Sequence, residues 1–324
     1  MFSSIYLLFM KDLVKTMLLL FLCTAFTKVV SAQPNHGQTV IVGGKKMAYK
    51  TNNLTNRKAG EPILVFEAGL GGGSFDPILP LLPSHIASIQ YERNGIGESE
   101  PDSSIVADSQ VVERLHGLLH TLSIQPPYLL VGHSIGGPYI RLFAAQHPDE
   151  VCGLVFSDPT DFMLSEQEDE WAKIVSQSKT SYQQISKIIM EQMSKNENSS
   201  PGAHIDAARA LRSNLKGYFP EYTTLPPLRK EIAATVIISY NKNIELPDEE
   251  LDRKLNLGIN FKAWWKEYDQ LRIQHYAALL KDNDNSMLVL LPKYSHGIYY
   301  QNPQLVAKLI QDNFNSYKKV RSSK

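Results

Sequence analysis

The stretch Tyr128-Leu129-Leu130-Val131-Gly132-His133-Ser134-Ile135-Gly136-Gly137-Pro138 decides how this chain folds. Four apolar or aromatic residues of strand type run into a turn with glycines at positions 132, 136 and 137, and a helical pattern (Tyr139, Leu142, Phe143, Ala144) follows within a helix expected over Pro138 to His147. G-x-S-x-G alone is a weak pattern, but strand, sharp turn and helix in that order are the context its chemistry needs. A serine at such a bend takes a strained backbone conformation, tolerated when glycines two residues before and after it leave room. Ser134 is therefore the expected nucleophile, its hydroxyl standing above a sheet beside the positive end of a helix. The bland alternative is a glycine-rich turn with an idle serine.

Outward from this turn, apolar runs of strand length alternate with helical patterns. Strands are expected at Thr39 to Val42, Lys46 to Lys50, Ile63 to Glu67, Ile86 to Tyr91, Tyr128 to Gly132, Val151 to Ser157, Thr235 to Tyr240 and Met287 to Leu291. Several have no polar face, as in parallel strands covered on both sides by helices. Val111, Val112, Leu115, Leu118, Leu119 and Leu122 recur at helical spacing between them, so the chain reads as α/β. The rhythm breaks between Thr160 and Lys230, where helical patterns continue without a convincing strand. So long an insertion is no simple crossover, and a cap over one end of the sheet is expected, with a surface excursion as the alternative. The expected organisation is core over 33–159, cap over 160–230 and core again over 231–324, ending in a polar tail from Lys318 to Lys324.

The chain has 324 residues, 43% apolar and 20% charged, with 33 basic and 33 acidic side chains. That balance excludes a disordered chain, and the lack of basic excess argues against a nucleic-acid partner. Residues 1–32 read as a secretory signal peptide: Lys11 and Lys15 precede the apolar run Met17 to Phe26, and Val30-Ser31-Ala32 offers a small-residue cleavage site. Lys28 cuts the run short of a membrane span, so no stable membrane insertion of the mature chain is expected, and its localisation is expected to be secreted or periplasmic. Cleavage would leave 30 basic and 32 acidic side chains and Cys152 as the remaining cysteine, so no internal disulfide is expected. Cys152 lies within an apolar strand, where a buried inert thiol is expected.

A serine hydroxyl needs a base. His296 lies just past the last expected strand, at the sheet end where Ser134 also sits, and is the expected base. His133 is read as structural. His116 and His120, four apart on one helix, invite a zinc reading, but no third ligand stands out and a helix-surface pair is the better account. Attack on a carbonyl also needs two N–H donors for the oxyanion. Ile135, the residue after the nucleophile, supplies one, and Leu70, in the glycine-rich loop Gly69 to Gly73 after the Ile63 strand, the other. A phosphate-cradling role for that loop fits poorly, since neither a dinucleotide fingerprint nor a P-loop is present.

The glycine loop, the turn Tyr91-Glu92-Arg93-Asn94-Gly95-Ile96-Gly97-Glu98-Ser99, the bend Gly132 to Gly137, the run Gly153 to Pro159 and the His296 loop follow one another in an order that resembles the α/β-hydrolase superfamily. The resemblance runs from about Ile63 to Leu309 and implies a mostly parallel eight-stranded sheet, helices on both faces and a helical cap after strand six. It also implies an acid partner for His296. Relatives usually carry that acid just past strand seven, but Asn241-Lys242-Asn243-Ile244-Glu245 holds no Asp. Asp158, at the end of strand six, is the favoured acid, with Glu245 next and Asp161, Asp248 or no acid as the alternatives.

The expectation is a serine hydrolase that cleaves a carboxylic ester or related acyl bond of a small molecule through an acyl intermediate on Ser134, without metal or organic cofactor. A serine rather than an aspartate at the bend argues against dehalogenase and epoxide-hydrolase chemistry. The rival readings are a small-ligand binding protein on the same scaffold, motivated by the missing acid, and an inactive interaction domain. Phe162, Trp171 and Tyr218 of the cap are candidates for an apolar pocket, though aromatic residues on helices more often belong to a core.

Overall fold

The structure, a computed structural model, describes residues 37–198, 200–244, 246–283 and 285–322. The expected signal segment and Glu245 lie outside the described residues.

Eight strands form one sheet: β1 (Gln38–Val42), β2 (Lys45–Asn52), β3 (Ile63–Glu67), β4 (Ala87–Tyr91), β5 (Tyr128–His133), β6 (Val151–Ser157), β7 (Ala233–Tyr240) and β8 (Met287–Pro292). Their spatial order is β1-β2-β4-β3-β5-β6-β7-β8. β1 and β2 form an antiparallel hairpin, β2 runs antiparallel to β4, and every other pairing is parallel. The eight-stranded, mostly parallel α/β sheet is as the apolar runs require. Every residue of β3, β5 and β6 is buried.

Alternation along the strands divides the interior in two. Ile63, Val65, Leu130, Leu154 and Val236 face one way and pack with Leu115 and Leu118 of α1 (Asp108–Thr121) and Tyr139 and Phe143 of α2 (Gly136–Gln146). Leu64, Phe66, Leu129, Val131 and Ile237 face the other way and meet Val306, Ile310 and Phe314 of the C-terminal helix α9 (Pro303–Ser322), which follows the short α8 (Ile298–Gln301). Two apolar layers thus clamp the central strands.

Among the described residues, three α-helices lie between β6 and β7, namely α3 (Glu166–Val175), α4 (Tyr182–Ser194) and α5 (Ala203–Ser213). They share a separate apolar cluster, including Ala172, Ile185, Ile189, Met193 and Ala207. The structure extends that cluster beyond residue 230. Leu251 of α6 (Leu246–Leu255) joins it, as do Trp264, Tyr268 and Leu271 of α7 (Phe261–Leu280). At 1.5 Å per residue a helix of 20 residues spans about 30 Å, so α7 can cover β7 with Tyr276 and Leu280 and still reach the cap with its first half.

Candidate active site

Ser134 follows directly on β5, with a φ of 55°. The bend is backbone packed on backbone. A Cβ on Gly136 would stand 2.4 Å from the Glu67 carbonyl oxygen, and one on Gly132 would stand 2.4 Å from the Gly136 carbonyl oxygen. Neither neighbour is a side chain that can turn aside, so both places require glycine. Ser134 N–H donates to the Ser157 carbonyl at 3.3 Å, and the Ser134 carbonyl accepts from Thr160 N–H at 3.1 Å. The serine turn is thereby stitched to the chain on both sides of Asp158.

Asp158 has no solvent exposure and a φ of 44°. Its Oδ2 accepts from His296 Nδ1 at 2.7 Å, while Ser239 N–H donates to Oδ1 at 2.9 Å. Two cations converge on the same carboxylate: Lys242 Nζ at 3.3 Å from Oδ2 and Arg272 Nη1 at 3.2 Å from Oδ1. Burial disfavours the carboxylate, but Arg272, Lys242 and the His296 bond outweigh it and hold Asp158 well below the usual carboxylate range. Burial lowers the His296 pKa; its bond to Asp158 opposes this, Lys242 and Arg272 add to it, and the net result is below the ordinary histidine value. The imidazole is therefore neutral at pH 7, with the proton on Nδ1 and the lone pair on Nε2.

His133 ties the two turns together. Its Nε2–H donates to the His296 carbonyl at 3.0 Å, and the two rings lie 4.6 Å apart. Burial first, and then the neighbouring His296, pushes its pKa down to about 3, so it stays a neutral donor. Ser134 and His296 thus belong to the same end of the sheet.

The glycine loop lies against the bend. A Cβ on Gly69, the residue before Leu70, would meet His133 Nδ1 at 3.0 Å and Ser134 Cβ at 3.3 Å. The loop is held by buried charges. Arg93 donates to the carbonyls of Ala68 and Gly69 and pairs with Glu67 at 2.5 Å and Asp206 at 2.7 Å. Asp206, on cap helix α5, also accepts from Gly71 N–H at 2.8 Å and pairs with Arg209, which reaches Asp108 of α1 at 3.0 Å. The Tyr91-to-Ser99 turn thus contributes Arg93 to this junction as well as its tight reversal.

Two of the alternative acids, Asp161 and Asp248, have other places in the fold. Asp161 bonds His275 Nδ1 at 2.8 Å, and Asp248 lies in the first turn of α6. Of the pocket candidates, Phe162 is buried against Tyr222 and Trp171 is half exposed. Tyr218 has a buried hydroxyl with no hydrogen-bond partner among the described residues. Cys152 is buried, and its thiol is pushed up to about 12 by burial. Lys242 and Arg272 escape a reading of the sequence because no motif marks them; Arg272 in particular comes from a helix 114 residues past Asp158.

A family model described as the alpha/beta hydrolase fold matches residues 62–183, the segment that carries the glycine loop, the bend and Asp158. The eight-stranded sheet around that segment is the α/β-hydrolase fold. The sn-1-specific diacylglycerol lipase ABHD11 of Mus musculus is 35% identical over 112 residues, 33% of this chain and 35% of that protein. The 2-(acetamidomethylene)succinate hydrolase of Mesorhizobium japonicum is 28% identical over 118 residues, 36% of this chain and 42% of that protein. The uncharacterized YqjL of Bacillus subtilis is 34% identical over 98 residues, 30% of this chain and 39% of that protein. The matched segment spans less than half the length of each of these relatives. Among solved structures, a thermophilic esterase from Thermogutta terrifontis superposes with a TM-score of 0.55 at 16% identity, covering 86% of this chain and 99% of that one. These α/β-hydrolase structures share the fold at identities too low to carry a substrate.

Proposed function

We propose that this protein of the α/β-hydrolase fold is a serine hydrolase that cleaves carboxylic esters or a related acyl bond. The observation that carries the reading is the 2.7 Å bond between His296 Nδ1 and a fully buried Asp158, at the sheet end that also bears Ser134 on a left-handed bend. Asp158 fixes the tautomer and offsets the positive charge that His296 acquires, and Nε2 takes the Ser134 proton as Oγ attacks the acyl carbon. The backbone N–H groups of Leu70 and Ile135 receive the oxyanion. His296 then gives its proton to the leaving oxygen, and a water activated by the same imidazole releases the acid from the acyl-enzyme. The binding-protein alternative drew on the absence of an acid after β7, and a carboxylate already bonded to His296 from the end of β6 removes that motive. Secretion through residues 1–32 belongs to the same proposal, and N-terminal sequencing of the mature protein tests it.

The decisive experiment pairs a fluorophosphonate probe with hydrolysis of short p-nitrophenyl esters. Stoichiometric labelling lost in Ser134→Ala is expected, with turnover lower by about 10⁴-fold or more. An unlabelled wild-type protein, or a Ser134→Ala variant that keeps most of its activity, would remove Ser134 from the role.

A further inference from the structure

At the opposite end of the sheet, two short motifs meet. Glu113 and His116 lie one turn apart on α1, while His147 caps the end of α2 and Glu150 directly precedes β6. Glu150 is tied to the sheet, because Tyr128 N–H donates to its carbonyl at 2.7 Å. The two imidazoles stack at 3.9 Å with 10° between their planes. His147 Nε2 lies 3.1 Å from Glu113 Oε1, and His116 Nε2 lies 3.1 Å from Glu150 Oε2. Phe143, fully buried, sits against both rings at 6.0 and 4.9 Å. The carboxylate that His116 bonds thus comes from 34 residues further along the chain.

An imidazole binds a metal in its own plane, so sharing one ion requires one ring to turn out of the stack. Ligand atoms of Glu113, His116 and His147 all lie within 4.8 Å of one another. A tetrahedral zinc ion holds nitrogen and oxygen ligands at about 2.0–2.1 Å, which sets its donors about 3.4 Å apart. Closing the cluster takes at most about 1.4 Å, shared between the exposed Glu113 side chain and the turning imidazole. Two imidazoles and one carboxylate form a donor set that zinc accepts, with the fourth place open to water.

We propose that Glu113, His116 and His147 bind one divalent transition-metal ion of the zinc class, cross-linking α1 to the end of α2, with Glu150 beside His116. The site lies at the far end of the strands from Ser134 and does not depend on the hydrolase reading. Untagged full-length protein, stripped with a chelator, is titrated with zinc by calorimetry. One equivalent should bind, and the thermal midpoint should rise by about 5 °C when free zinc exceeds its dissociation constant a hundredfold. His147→Asn and Glu113→Gln should each weaken zinc binding about tenfold or more. Glu113 is more than half exposed on its side chain, so its variant carries the test if the histidine variant folds poorly. Absence of saturable binding, a stoichiometry other than one, or wild-type affinity in a folded Glu113→Gln protein would overturn the proposal.

Discussion

Replacing Lys242 with Met should move the acid limb of kcat/KM upward. Lys242 Nζ and His296 Nδ1 approach the same Asp158 oxygen, at 3.3 and 2.7 Å, so the two nitrogens are at most 6.0 Å apart. At about 6 Å two like charges repel by roughly 3 kcal/mol at an effective dielectric of 20 and by roughly 0.7 kcal/mol in water, or about two pH units and half a unit. Lys242 is mostly but not wholly shielded, with 15% of its side chain exposed, which places the expected shift near one unit. The sign follows from charge: a cation beside the imidazole disfavours its protonated form, so removing it makes His296 a stronger base. Arg272 still faces Asp158, Asp269 still pairs with Arg272, and His133 stays neutral, so the remaining surroundings are held constant. Met also keeps a hydrocarbon stem against Trp265, over which the ammonium sits at 4.9 Å. The assay is kcat/KM for a short-chain ester between about pH 4 and 8, with Lys242→Arg as the charge-preserving control. An acid limb that stays within about 0.2 unit of wild type, or moves downward, refutes the electrostatic account.

Gly136→Ala should cost about 3 kcal/mol or prevent folding, because its Cβ would meet two backbone carbonyl oxygens at 2.4 and 2.8 Å; wild-type denaturant stability would contradict that packing. Asp206→Asn should destabilise the chain by about 3–5 kcal/mol, since it leaves the buried Arg93 and Arg209 short of a counter-charge, and a loss below about 1 kcal/mol by urea titration would show the junction to be dispensable. For His275, burial opposes protonation but the bonds to Asp161 and Glu168 prevail and raise its pKa to about 9. Its contribution to stability is therefore complete below about pH 6.5 and fades as pH rises through 9, so the stability difference between wild type and His275→Gln should shrink over that window; a difference constant with pH would count against it.

The strands were legible because burial on both faces writes uninterrupted apolar runs, and β3 and β6 appear at the expected residues. Ser134, too, could be placed from sequence, since a left-handed serine between close-packed backbones leaves glycines at fixed offsets. Charges that meet only in three dimensions leave no such trace. Lys242 and Arg272 reach Asp158 from a loop and a helix whose sequences carry no period or motif that points there. Likewise, nothing in the spacing of Asp206 within α5 shows that it holds the loop after β3. The divided packing of α7 was hidden because one helix can present successive turns to different neighbours without a break in its pattern.

The buried junction of Glu67, Arg93, Asp206, Arg209 and Asp108 bears on how variants of this scaffold can be built. A chimera that exchanges the helices between β6 and β7 for those of a relative would strand two guanidinium groups in a dry seam and release the Gly71 amide. Any such graft has to carry Asp206 and Arg209 along, or replace the whole ionic set with matched apolar residues at once.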